Sequence, residues 1–209
     1  MTSPDSWQLT SRRTKLRYMQ HRLLFLLFCL ALPASSPVLA STAKPDPELR
    51  RELREAVNSA DSFQNRFDAE VWLVDMSGRT DRWLKDNRRR MEILKLVHQE
   101  ATRQGISPQI VLAVIQVESG FDRFAISPAG AQGLMQVMPF WKNEIGRPRD
   151  NLTKVETNLR YGTIILSYYL EQEDGNLSRA LARYNGSSGK VWYPERVFNA
   201  FERHFRVND

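Results

Sequence analysis

The sequence predicts a mainly α-helical protein with a small β-like insert and an N-terminal helical extension. Three observations predict it. Apolar residues recur at helical spacing in most segments that show any period. One eleven-residue stretch, Pro108–Glu118, is apolar almost all round, which suits a helix in the middle of a core. After it, from Ser119 to Met138, come glycines, short polar residues and brief apolar pieces, with room for a small irregular or β-like insert over 119–132.

The elements follow in order. Leu23–Leu32 is a ten-residue apolar run directly after Arg22, followed by Pro33, small residues and Val38-Leu39-Ala40. A basic flank, a short apolar run and small residues at −3 and −1 make a secretory signal, so residues 1–40 are expected to be a leader cleaved after Ala40. Met19 would begin a leader of more ordinary length, which makes 1–18 an upstream extension. The run is short of the ~20 apolar residues of a membrane span, so no stable span is expected after cleavage, with a retained anchor as the alternative. Residues 41–90 form the expected extension, and 91–209 the main domain. In the extension, Leu49, Leu53, Ala56 and Val57 share one helix face. Residues 63–85 read as mostly helical with a break at Gly78, although the VWLV run at 71–74 also suits a strand. Arg88-Arg89-Arg90 reads as a solvated helix start.

Ile93, Leu94, Val97 and Ala101 define an amphipathic helix over 91–104, ended by Gly105. Ser107-Pro108 supplies an N-cap and a first-turn proline for the apolar helix. Thr153-Lys154-Val155-Glu156 fits a capping box that opens a long helix to about Gln172. A short helix follows over 176–184. Tyr193-Pro194 opens the last, with Val197, Phe198, Phe201 and Phe205 inward.

Composition excludes several functions. One cysteine, Cys29, cannot form an internal disulfide, and three scattered histidines make a zinc site improbable. The net charge of +6 suggests nucleic acid at first sight. Residues 1–40 hold five of the 30 basic residues and one of the 24 acids, which leaves 25 against 23 in 41–209. The mature body is nearly balanced, and no nucleic-acid partner is expected.

Glu118 is the most informative position. It ends the apolar helix, where burial and the negative end of the helix dipole both disfavour a carboxylate charge. A carboxylic acid kept protonated near neutral pH is what a general acid requires. The other reading is a glutamate emerging into solvent as the helix ends, and the residues alone leave both open.

Three ordered motifs decide between them. Glu118-Ser119, then Gly133-Leu134-Met135-Gln136 with Val137-Met138-Pro139, then Ala182-Arg183-Tyr184-Asn185-Gly186 resemble the family 1, soluble-type lytic transglycosylases of bacterial cell walls. Arg183 departs from the family pattern, being inserted before the Tyr-Asn pair. The resemblance covers roughly the last 120 residues of the chain. It implies a lysozyme-like domain that cleaves the β-1,4 bond between N-acetylmuramic acid and N-acetylglucosamine and leaves a 1,6-anhydro-muramoyl product. It implies Glu118 as acid and then base, Tyr184 bonded to Glu118, and Ser119, Gln136 and Asn185 contacting the N-acetyl group or orienting the acid. Met135 then floors the groove or fills the core. Phe121, Phe124 and Trp141 stack on sugars or pack inside. No cofactor or metal is implied. The expected partner is the peptidoglycan glycan strand, in the periplasm, with possible attachment at the wall or outer membrane periphery left open. A goose-type lysozyme-like hydrolase and a non-catalytic wall-binding protein are the alternatives.

Ordinary glycosidases need two carboxylates, about 5–5.5 Å apart when retaining or about 6.5–9.5 Å when inverting. Only Asp122 lies near Glu118 in sequence, and a turn explains it. Attack by the substrate's own 6-hydroxyl removes the need for a second acid.

Overall fold

In the computed structural model, which describes residue 51 and residues 61–207, the chain runs through α1 (Arg66–Thr80), α2 (Asn87–Arg103), α3 (Pro108–Ser119), α4 (Trp141–Ile145), α5 (Val155–Gln172), α6 (Leu177–Tyr184) and α7 (Trp192–Ala200). A π-helical turn, Phe201–Phe205, extends α7. The expected leader and most of the helix expected over 48–60 lie outside the described residues. The mainly α class is as the periodicity predicted, and no strand is formed among the described residues. No helix among them is long and apolar enough to cross a membrane.

Helix α3 is central because its sequence leaves it no polar face. Val111 to Ile115 are fully buried, between α2 on one side and α7 with its π-turn on the other. Each of the valine, leucine and isoleucine side chains among them contributes about 1.5–3 kcal/mol through burial. Helix α5 packs on α2 and α6, and α6 on α7, so α3 and α6, which carry two of the recognised motifs, and the turn that carries the third meet with α5 and α7 around one cluster. Helix α1 adds Ala69, Leu73 and Met76 to that same cluster.

Three local expectations need correction. Helix α1 runs through Gly78 to Thr80 instead of breaking there. A single glycine costs a helix only about 1 kcal/mol, and burial of Leu73, Met76, Ser77 and Thr80 holds both sides of it. The Thr153 capping box does not form. The Thr153 hydroxyl and N–H both donate to Asn151 Oδ1, at 2.8 and 2.9 Å, so a local Asx turn takes the cap's donors. Nor is the 88–90 arginine run all solvated. Asp86 caps α2 through the Arg89 N–H at 2.7 Å, which turns Arg90 inward, where it donates to Ser77 Oγ, Asn87 Oδ1 and the Leu84 carbonyl.

The segment after α3 contains turns and two isolated antiparallel bridges, Ile126 with Gln132 and Gln132 with Val137. Gly133 makes this possible. Its φ is +77°, and a Cβ there would lie 2.5 Å from the Leu152 carbonyl oxygen and 2.4 Å from Asn158 Nδ2. Gly133→Ala is therefore expected to destabilise the protein by roughly 2–3 kcal/mol. A thermal melt checks this, and an unchanged midpoint would show the turn to be more pliable than its geometry implies.

Candidate active site

Helix α3 ends one residue beyond Glu118. Gly120 takes a left-handed conformation (φ +57°) and returns its N–H to the Gln116 carbonyl. Phe121 is also left-handed (φ 68°), which is costly for a residue with a Cβ. Its ring is 5.4 Å from Trp83 in a stacked pair and is buried, so Phe121 serves as an anchor that reverses the chain. Of the other two aromatics, Phe124 is exposed beneath the Arg123 guanidinium, and Trp141 is half-buried, edge-on to Tyr169.

The carboxyl of Glu118 accepts a 2.6 Å hydrogen bond from the Tyr193 hydroxyl on Oε1. Burial raises its pKa above the ordinary carboxylate value, opposed by the Tyr193 hydrogen bond and by the positive charge of Arg196. Burial and the neighbouring carboxyl together push the Tyr193 hydroxyl well above the usual tyrosine range, so it remains a proton donor.

The expected bond from Tyr184 to Glu118 is not made. Tyr184 donates instead to the Met135 carbonyl at 2.7 Å. That carbonyl sits in a turn between Gly133 and a left-handed Gln136 (φ 49°), where no backbone N–H among the described residues reaches it. A buried hydroxyl takes such an acceptor. Tyr184 still lies near enough for the Glu118 charge to raise its pKa, after the larger effect of burial.

The Gly133–Gln136 turn is fastened from three helices. Ser119 Oγ of α3 donates to the Leu134 carbonyl at 2.7 Å. Asn158 of α5 accepts the Met135 N–H at 2.8 Å and donates to the carbonyls of Gln132 and Leu152. Tyr184 of α6 is the third. The Gln136 amide donates to the carbonyls of Ala125 and Gly133, at 3.1 and 3.0 Å. Met135 is fully buried against Gly162, where any Cβ would strike it. Asn185, exposed at the end of α6, has a side chain without a hydrogen-bond partner among the described residues. Arg183, the inserted residue, is tied to Glu173 at 3.0 Å and lies over the Tyr169 ring, which explains it structurally.

Tyr193, Arg196 and Asn158 are site residues that the sequence reading missed. Asn158 had a signal, a polar residue on the apolar face that Val155 and Leu159 define. Tyr193 had none beyond its hydroxyl, since 75 residues separate it from Glu118. Asp122, the nearest other acid in sequence, is exposed and accepts the Phe124 N–H at 2.9 Å, as a turn residue does. Among the described residues no three His, Cys, Asp or Glu side chains gather closely enough to hold a metal ion.

The Transglycosylase SLT domain profile matches residues 95–204, which span the whole of this constellation. The chain belongs to that family. Among its curated relatives, the membrane-bound lytic murein transglycosylase C of Yersinia pestis and that of Yersinia pseudotuberculosis are each 33% identical over 130 residues. That match covers 54% of this chain and 36% of each relative, so the shared part is about a third of the relatives' length. Two solved structures are similar at 24% identity. The lytic transglycosylase Slt of Pseudomonas aeruginosa has a TM-score of 0.43, over 68% of this chain and 26% of that one. The 70-kDa soluble lytic transglycosylase of Escherichia coli has 0.40, over 78% and 26%.

Proposed function

We propose that this SLT-family chain is a peptidoglycan lytic transglycosylase in which Glu118 acts first as acid and then as base. The observation that carries the reading is a carboxyl group whose pKa is raised by burial, held on one oxygen by a neutral tyrosine. With Oε1 taken by Tyr193, Oε2 is the oxygen that bears the transferable proton. Glu118 gives that proton to the glycosidic oxygen as the bond to the muramoyl anomeric carbon breaks. The substrate's N-acetyl group stabilises the cation. The Glu118 carboxylate then takes the proton of the 6-hydroxyl as its oxygen bonds to the anomeric carbon. The glutamate ends protonated, ready for the next cycle, and no second carboxylate is needed. Asn185, whose amide has no partner among the described residues, takes the sugar contact that its motif implies. Ser119, Gln136, Met135 and Tyr184 act by holding the turn beside the acid.

The setting proposed is the periplasm, reached through the leader over 1–40, with glycan strands as the partner and α1 packed on α2 of the catalytic domain. Mass analysis of peptidoglycan digested by residues 41–209 tests the reaction. An anhydro product is lighter by one water than a hydrolysed end, and hydrolysed ends alone would assign the chain to hydrolysis.

Tyr193→Phe isolates the tuning of the acid. The lost hydrogen bond favours the ionised carboxylate, so its removal raises the Glu118 pKa further. Since Glu118 must begin protonated, the alkaline limb of the pH–rate profile is expected to move to higher pH. The maximum should fall by roughly tenfold, as for one lost hydrogen bond to a charged group. A limb that moved to lower pH would contradict this arrangement.

A further inference from the structure

Beyond Glu118 the face that presents Tyr193 carries positive charge that the reaction above does not use. Arg196, Asn199 and Arg203 follow Tyr193 along α7 and its π-turn, at roughly helical spacing. With Gln116 and Val117 from the last turns of α3, and with His204, they line a pocket of about 320 Å³. Val117 precedes Glu118 on α3, and Arg196 lies one turn after Tyr193, whose hydroxyl is bonded to Glu118, so the pocket adjoins the acid.

Neither Arg196 nor Arg203 donates a hydrogen bond or forms an ion pair among the described residues. Both are exposed side chains. Glu202, the acid beside Arg203 in sequence, is turned to Arg206 at 2.7 Å. Arg82 and Arg203 both place positive charge near His204, whose pKa is lowered by burial first and then by those two side chains. Arg179 and Arg183 of α6, by contrast, are both held by Glu173. Two unpaired guanidinium groups in one concavity match a carboxylate, which their planar forks can hold through paired hydrogen bonds. The amides of Gln116 and Asn199 offer both donors and acceptors, as a peptide backbone requires.

We propose that the Arg196–Arg203 pocket is a specificity subsite for a carboxylate of the stem peptide borne by the muramoyl sugar at the cleaved bond. The proposal rests on the lytic transglycosylase reading. It follows from attachment: the peptide hangs from the ring whose glycosidic oxygen Glu118 protonates. Two or three extended residues span about 7–10 Å, enough to bring a carboxylate from that ring to the neighbouring pocket.

The test compares kcat/KM on glycan strands bearing peptides with that on the same strands stripped of peptide by an amidase. Wild type is set against Arg203→Gln and Arg203→Lys. Arg203 is chosen because its charge is not among those that shift Glu118, and a thermal melt confirms folding of each variant. The expected result is that Arg203→Gln lowers the ratio of the two kcat/KM values by about five- to tenfold, mostly through KM, and that Arg203→Lys restores part of it. Cleavage with an unchanged ratio would overturn the subsite alone. An equal loss on both substrates would give the pocket to the glycan or to another anion and would overturn the peptide assignment. Absence of cleavage by the wild type on either substrate would overturn the reading of the activity, and the subsite with it.

Discussion

Glu118→Gln is expected to abolish cleavage of purified peptidoglycan while leaving the fold intact. Glutamine keeps the shape of a protonated glutamate and can still accept the Tyr193 hydrogen bond through its carbonyl oxygen. It cannot pass a proton to the leaving oxygen or take one back. One general acid or base contributes about 10²–10⁴-fold. Here a single group serves both steps, so the loss should reach the upper end of that range or exceed it. Residual activity above a few per cent, with contaminating enzymes excluded, would sink the single-acid mechanism and make Asp122 the next carboxylate to test.

The same variant reports on the electrostatics of the site. Burial raises the folded pKa of Glu118 above its unfolded value, despite Tyr193 and Arg196. Protonation of the wild type therefore contributes stability that is fully present below the unfolded value of about 4.3 and is lost as pH rises through the raised folded value. Glutamine does not ionise. The melting temperature of Glu118→Gln relative to wild type should accordingly rise as pH increases across that window. A difference that is the same on both sides of the window would mean that Glu118 titrates as a solvated side chain.

Glu118 was legible because two independent regularities converge on it. Periodicity and the Ser107-Pro108 start set out a buried helix, and a carboxylate at the end of such a helix is anomalous before any family is considered. The ordered motifs then removed the alternative of a solvated terminus. The helices were legible for a similar reason, since each buries one face of a repeating pattern. What failed was local chemistry open to more than one solution. Thr153 has the right neighbours for a capping box, but Asn151 offers a closer acceptor. Arg90 looks like one of three equivalent arginines until the Asp86 cap fixes the phase of α2 and turns it inward.

The hydroxyl partner of Glu118 was illegible for a different reason. Tyr184 and Tyr193 are both tyrosines near the ends of short helices, and sequence says nothing about which reaches α3. The choice is made by packing. Helix α7 lies directly on α3 and delivers Tyr193, whereas α6 lies on α5 and carries Tyr184 to the turn that α5 holds. The two tyrosines thus divide the work. One tyrosine serves the acid and the other serves the loop beside it.

That division makes Asn158 the residue on which the turn beside the acid depends most, since three of its hydrogen bonds end there or at its flanks. Its side chain uses its oxygen for the Met135 N–H, and its nitrogen for the carbonyls of Gln132 and Leu152, at 2.8, 2.8 and 2.7 Å. Asn158 is only 1% exposed, so water does not replace it without rearrangement. Asn158→Ala leaves the Met135 N–H and the Leu152 carbonyl buried without partners, each costing about 1–3 kcal/mol, while the Gln132 carbonyl keeps the Val137 N–H, and it opens a small cavity beside Leu134 and Met135. Partial relaxation of the turn offsets some of this, so we expect a loss of about 3–5 kcal/mol and a fall in Tm of roughly 10 °C. Asn158→Asp keeps the acceptor for Met135 but sets a buried carboxylate oxygen against two carbonyl oxygens, so near neutral pH it should destabilise at least as much as Asn158→Ala, and less as the carboxyl protonates at lower pH. Activity should drop along with stability, because the Met135 carbonyl that anchors Tyr184 belongs to the same turn. A Tm within about 2 °C of wild type for Asn158→Ala would show that the turn is held by Ser119, Gln136 and Tyr184 without α5, and that the acid's surroundings are organised from α3 and α6 alone.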